Sequence, residues 1–537
     1  MKRKGIVILS ILMLSMIVGC SRTGDSSKNG TQAAPSNKKE MVVSIKGEPS
    51  KGFDPAFDWP GLGEPLFQSK LIVFDQNNNL VNDLATERTL SPDGTKWTLK
   101  LRGDALCSDG KKLTAKDVVF TFDKVRKTTS YIDLSNLKSV MAKDDTTVEF
   151  LLDHPDSTFL YTVARIAIIP EHAYGPNYAQ HPIGSGPYRF VEWKKGEKLI
   201  VEANPLYYGK KPNMDRVTFL YLDLDASFAG AQRQEIDVAR VSMAYNLQEI
   251  PGYTKRNIET MDIVSLSLPS VPRGRYKMEG VPIGNDVTSD TALRRALSYA
   301  MDREGICANA LNGAARPVYS HNPGMPWDNA SNKIPNADVN TAKKILEEGG
   351  WADRDGDGIV EKNGVKAQFT LLYTPGEVER QAVVLGAQES AKTIGVQIDL
   401  VCKPWDEIAR EKGIYRDAYL FGKGADSPFE IYTNYSSDRI ANYNTNSPSY
   451  GNPKTDAYLN QAIRTTDTKE AMALWKKAQW DGSHGVNSLG DSPFIPMVAF
   501  HHTFFIRNGV DLGSFRPAPH RGAYWITVEN IKDWSKK

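Results

Sequence analysis

An excess of charge of either sign is missing from this sequence. Its 537 residues carry 66 Lys+Arg against 64 Asp+Glu, a formal net charge of +2 at pH 7. Nothing in that balance argues for nucleic acid or an acidic polymer as a partner. Cysteine is scarce, with four residues in all. There is no Cys-x-x-Cys, no His-Glu-x-x-His and no Gly-x-Ser-x-Gly, so the common zinc, metalloprotease and serine-hydrolase signatures are absent. A catalytic carboxylate pair would leave no local signature, but nothing in the chain calls for one. No self-similarity recurs at 20–50 residues, which excludes a solenoid. The N-terminal apolar run, residues 6–18, is too short for a comfortable membrane span.

What that run does carry is an address. Lys2, Arg3 and Lys4 precede it, and it ends in Ile17-Val18-Gly19-Cys20, which resembles a bacterial lipobox. The resemblance implies a lipoprotein signal peptide over residues 1–20, cleavage before Cys20 and lipidation of its thiol. Residues 21–40 are rich in Ser, Asn, Gly and Lys, the composition of a flexible tether. Export permits disulfides. Cys107, Cys307 and Cys402 remain, an odd number that cannot all pair internally. Cys307–Cys402 stays open as a pair, and three buried free thiols is the simplest expectation.

The length predicts two or three lobes. Over residues 97–122, Trp97, Leu99 and Leu101 alternate with polar residues, Asp109-Gly110 marks a turn, and Thr114 stands three residues before Asp117. The pattern predicts a strand, a turn and a helix opened by a capping box. Further strands are expected at 41–45, 71–74, 80–84, 147–152, 166–170, 219–222 and 396–401, with a strand pair at 494–506. Helices are expected from Ser289 or Asp290, from Asp302, and over 338–350 and 377–394. Alternating helices and strands argue for an α/β fold.

The residue order is more specific than the pattern. Leu101-Arg102, Ser108-Asp109-Gly110, Leu113-Thr114-Ala115 and Asp117–Phe122 resemble the signature of family 5 extracellular solute-binding proteins, the oligopeptide, dipeptide and nickel receptors of ABC importers. The segments 181–190 (HPIGSGPYRF), 203–212 (ANPLYYGKKP) and the run LRRALSYAMDREGI agree with it. The resemblance implies an α/β, two-lobed periplasmic-binding-protein-like fold of type II, with an inserted subdomain and a cleft between lobes. Lobe I would comprise 41–62, 183–271 and 497–537, the inserted subdomain 63–182, and lobe II 272–496. It further implies a monomeric, lipid-anchored, extracytoplasmic receptor that needs no cofactor, captures peptides and delivers them to ABC permease subunits. A nickel-chelate or other small-solute receptor is the alternative within the family, and an exported lipoprotein hydrolase the alternative outside it.

Two stretches hold candidate site residues. Asp353, Asp355 and Asp357 with Gly358 look like the start of a calcium loop, but its twelfth position is Gly364 rather than a bidentate Glu, which favours a plain turn. His501 and His502 are adjacent, and on a strand they would face opposite ways and not share an ion. Residues 421–450 gather Asp426, Phe429, Tyr432, Tyr435, Tyr443 and Tyr450 among Asn and Ser. Flat rings and amides suit a cleft wall. By the resemblance, Asp426 falls where peptide-binding members hold the peptide's α-ammonium, with Phe429, Tyr432 and Tyr435 beside it. An Asp-Ser-Pro turn without a ligand role explains the same residues.

Overall fold

Two long strands, Tyr253–Ser267 and Phe494–Arg507, pair antiparallel along most of their lengths in the computed structural model. The structure describes residues 38–57, 66–128, 132–424, 426–442, 445–519 and 526–537. Cys20, Tyr443 and all but the end of the tether lie outside the described residues. The strand Phe494–Arg507 is buried at nearly every position, as a near-continuous apolar run in the middle of a covered sheet should be. It is one strand, where the sequence suggested a pair. Pro496 does not turn the chain but shifts the register between Val264 and Ser265, since proline has no N–H to give the ladder.

These strands stand at the centre of a large mixed sheet. On one flank lie Val238–Val241, Glu40–Ile45, Arg216–Tyr221, Lys198–Ala203 and Tyr188–Lys194. On the other lie Ala418–Lys423, Gln368–Tyr373 and Gln397–Cys402. Gln368–Tyr373 and Gln397–Cys402 pair in parallel. Parallel neighbours need a crossover, supplied here by the helix Val378–Lys392. That helix packs with Thr291–Ala300 and Val339–Glu348 on a core including Leu293, Leu297, Leu346, Val384 and Val498. Asp290 and Asp338 cap the latter two helices, accepting from the N–H of Leu293 and Thr341.

A separate antiparallel sheet runs Ala85–Leu90, Lys96–Leu101, Thr147–Leu152, Leu137–Asp144, covered by the helix Ala115–Thr128. Leu99, Val118, Phe122, Val148 and Phe150 form its core. The capping box is realised in its return half. Asp117 accepts from the Thr114 N–H (2.7 Å) and hydroxyl (3.1 Å), and its second oxygen takes the Glu171 N–H (2.8 Å). Ile166–Pro170 is not a strand as expected. It is buried but forms only a single bridge, Lys70 with Ala167. Burial alone, without a neighbouring edge, cannot make a strand. The described cysteines are all free, and Cys402 is exposed rather than buried. Burial pushes the thiols of Cys107 and Cys307 up to about 12.

Two fully buried arginines brace the long strands. Arg294 donates to the carbonyls of Asp491 (2.9 Å), Thr288 (2.9 Å) and Ser289 (2.8 Å). Arg303 donates to Pro496 O (2.7 Å) and Ser298 O (3.0 Å) and stacks 4.9 Å from the Tyr319 ring centre. Burial lowers both guanidinium groups to about 10, so they remain charged at neutral pH. Their worth lies in satisfying carbonyls that no water reaches. The substitution Arg303→Met is therefore expected to cost about 2–4 kcal/mol in urea unfolding, because it strips buried acceptors of their donor. A loss below about 0.5 kcal/mol, the range of ordinary surface changes, would refute that bracing role.

Candidate functional site

Between Glu259 and Ile263 the central ladder breaks register. Thr260 and Met261 leave it and align with Ala518 and Pro519 instead. Such a bulge bends and twists a strand. Thr260 closes it from within, its hydroxyl donating to Phe500 O (2.7 Å) and accepting from the Asp262 N–H (2.8 Å). Arginines approach both ends, Arg316 at 3.5 Å from Glu259 and Arg380 at 3.6 Å from Asp262.

The loop after Ala418–Lys423 presses on this bulge. Gly424 has φ of +129°, and a Cβ there would stand 1.7 Å from Met261 O. Only glycine fits both constraints. Asp426 follows, then Ser427-Pro428, where the Ser427 hydroxyl accepts from the Phe429 N–H (3.2 Å) and the helix Phe429–Tyr435 begins.

Asp426 is buried, with 8% of its surface exposed. Buried carboxylates normally accept several hydrogen bonds. Asp54 takes the Ala56 N–H and Tyr174 hydroxyl, both at 2.8 Å. Asp117 is bonded as described, and Asp237 takes the Val42 N–H (2.9 Å) together with Arg507 and Lys536. Asp426 accepts no hydrogen bond from any described residue. Its one partner among them is the Arg165 guanidinium, 3.9 Å away, an ion pair too long to be a hydrogen bond.

Of the aromatic residues expected beside it, Phe429 and Tyr432 stack at 5.8 Å and 13°. The Arg439 guanidinium lies 5.7 and 5.4 Å from their ring centres. The Tyr432 hydroxyl donates to Asp438 (2.9 Å). Tyr435 does not join this wall. It is a core residue, packed edge-on against Tyr450 and Phe494, with its hydroxyl 3.0 Å from His321 Nδ1 while Ser265 Oγ lies 2.8 Å from Nε2. On a short helix Tyr432 and Tyr435 lie three residues apart, and sequence spacing alone does not say which side faces in. Tyr450 is also buried, donating to Asp491 (2.7 Å).

Arg165 arrives from a distant part of the chain, just after the short helix Phe159–Val163. That segment is docked at its start by Ser157, whose N–H and hydroxyl donate to Ile463 O (2.8 Å) and Ala462 O (2.6 Å). In its middle Tyr161 meets Trp327 edge-on at 5.4 Å. The one trace of Arg165 in the sequence is a lone charge at the head of the apolar run 166–170.

The acidic loop is closed from within. Asp353 accepts from the N–H groups of Gly356 (2.7 Å) and Gly358 (3.0 Å), and Asp357 from that of Ile359 (2.9 Å). The Asp353, Asp355 and Asp357 carboxylates converge within 4.8 Å, and Lys366 Nζ bonds to both Asp355 (2.8 Å) and Asp357. His501 and His502 diverge. His502 meets Arg240 (3.1 Å), while His501 stands opposite Glu259 and burial lowers its imidazole below the usual range. Open hollows of about 530 Å³ beside Phe120 and Lys124 and about 260 Å³ beside Arg273 and Arg416 hold none of the expected site residues.

A large mixed sheet with a second, smaller antiparallel sheet and helices packed against both is the two-lobed α/β architecture of a solute-binding protein. The chain belongs to the bacterial extracellular solute-binding proteins, family 5, whose model matches residues 79–442. Proteins of this family are transport receptors, not enzymes, and act outside the cytoplasm. No helix of the described residues is long and apolar enough to cross a membrane. Protein XP55 of Streptomyces lividans is 31% identical over 474 residues, covering 85% of this chain and 83% of its own. The oligopeptide-binding protein AppA of Bacillus subtilis is 28% identical over 503 residues, covering 88% and 90%. Its structure with a nonapeptide matches at TM-score 0.69 with 24% identity over 93% of this chain and 99% of that one. NikZ of Campylobacter jejuni, solved with Ni(L-His), matches at TM-score 0.73 with 24% identity over 93% and 100%.

Calorimetric titration of the protein with calcium is expected to show no heat at millimolar concentration. Lys366 already bonds to two of the three carboxylates, and the bidentate twelfth ligand is missing. A saturable exotherm or endotherm in that range would establish a calcium site at Asp353, Asp355 and Asp357.

Proposed function

We propose that this protein is the solute-capturing lipoprotein of an ABC importer and that its solutes are di- or oligopeptides. The observation that carries the reading is Asp426, a buried carboxylate that no described residue hydrogen-bonds. A carboxylate left so is costly, and an ammonium group brought by a ligand would satisfy it. Phe429 and Tyr432 offer flat apolar faces beside it, suited to side chains of varied shape. The name of AppA, an oligopeptide-binding protein, and its nonapeptide complex support the same class.

In this reading lobe I comprises 41–62, 183–271 and 497–537, carries 63–182 as an inserted subdomain, and faces lobe II at 272–496. The lobes close on the ligand by bending at the bulge, and the closed form docks on the permease. The protein acts as a monomer held to the membrane through lipidated Cys20. A nickel chelate is the second reading, favoured by the likeness to NikZ and by the cationic groups of Arg165, near Asp426, and Arg439, over Phe429 and Tyr432, which would suit an anionic complex.

A native mass spectrum of the protein as purified from cells is expected to show a ladder of peptide masses. A single adduct with a nickel isotope pattern would replace the peptide reading with the chelate. Asp426→Asn is expected to weaken peptide binding at least about tenfold in calorimetry, since a charge-assisted bond contributes about 1.5–3 kcal/mol. Unchanged affinity would remove Asp426 from the site.

A further inference from the structure

We infer that Arg165 is a tethered counter-ion for Asp426, occupying the place of the ligand's cationic group and giving way to it, so that it tempers the preference for ligands with a cationic end that Asp426 creates. The inference rests on the reading of Asp426 as the ligand's cation site.

Reciprocity comes first. Among the described residues the Arg165 guanidinium has no other side-chain or backbone partner than Asp426, and Asp426 has no other than Arg165. Each charge is therefore available to the other or to a newcomer. The separation is 3.9 Å, beyond hydrogen-bond reach, so parting the two breaks no hydrogen bond. Their surroundings are unequal. The Arg165 side chain is 30% exposed and that of Asp426 12%. A displaced Arg165 can swing into water on its flexible stem, whereas Asp426 stays where it is and must find another cation. Arg165 is also presented from a distant part of the chain, on a segment docked at Ser157 and Tyr161, so it is not part of the loop that carries Asp426.

Discrimination follows from charge conservation. A ligand with a free ammonium replaces one cation by another and adds hydrogen bonds that the guanidinium does not make. A ligand with a neutral end leaves the pair as it is and gains nothing at Asp426. Arg165 thus lowers the affinity for cationic ends by the strength of the pair it surrenders, a factor of about two to five for a partly exposed ion pair that contributes. Without it, the empty site would leave Asp426 buried and uncompensated, which is unfavourable.

The test uses the purified protein and its Arg165→Gln and Asp426→Asn variants. The probe is a tryptic digest of casein, with its amines free and then acetylated, titrated and read by native mass spectrometry. Arg165→Gln is expected to take up the free-amine digest at a concentration about twofold to fivefold lower than wild type, with uptake of the acetylated digest unchanged. Asp426→Asn is expected to erase the preference for free amines. Equal shifts of both digests in Arg165→Gln, or no shift, overturn the role of Arg165. If Asp426→Asn keeps the wild-type preference, the reading of Asp426 fails first and the inference falls with it. Uptake of neither digest by any of the three proteins overturns both.

Discussion

The ladder between Tyr253–Ser267 and Phe494–Arg507 is the constraint on which the rest of the structure depends. Every other strand of the large sheet is attached, directly or through neighbours, to one of these two. The core on each flank packs on the same continuous sheet. Cooperative stability and, in the proposed reading, lobe closure would share one element. A ladder that had to be fully regular would serve only the first purpose. The bulge at 260–262 interrupts it at one place, and Thr260, Glu259 and Asp262 each find a partner there.

The buried arginines explain how such an element keeps its position. A charge at full burial is expensive unless its donors are used, and Arg303 spends its own on the Pro496 carbonyl in the strand Phe494–Arg507 while Arg294 holds the Asp491 carbonyl in the turn just before it. Cation and acceptor are both locked, so this end of the ladder is stiff. Asp426 shows the opposite arrangement. Its carboxylate is buried yet loosely paired, a local dissatisfaction that a binding protein can hold in reserve because the surrounding fold is over-determined.

Local chemistry was legible in the sequence wherever a residue acts on its near neighbours. Thr114 and Asp117, Asp290, Asp338 and the glycine turn at Gly110 behave as their spacing predicts. The motif order that resembles family 5 was legible for the same reason, since it lies within one strand–turn–helix unit. Long-range facts were not. The apolar run 166–170 reads like a strand but has no edge to join. The apolar run 494–506 is long enough to read as two strands, whereas it forms one, and the neighbouring strand absorbs Pro496 as a register shift. Tyr435 and Phe429 are alike as letters, and only the surroundings of His321 draw one into the core. Arg165 lies 261 positions from Asp426 along the chain, as their numbers give, and no pattern links them.

The contact of Gly424 with Met261 has a mechanical meaning. Side chains between two backbones act as soft springs, taking up small displacements by changing rotamer. Here there is none. The loop bearing Asp426 rests backbone on backbone against the bulge, where the repulsive wall is steep and compliance is small. A displacement of Gly424 is passed to Met261 almost without attenuation. If the bulge is the place where the lobes bend, as proposed, motion of this loop and motion of the bulge would be tightly coupled, with little free energy dissipated between them.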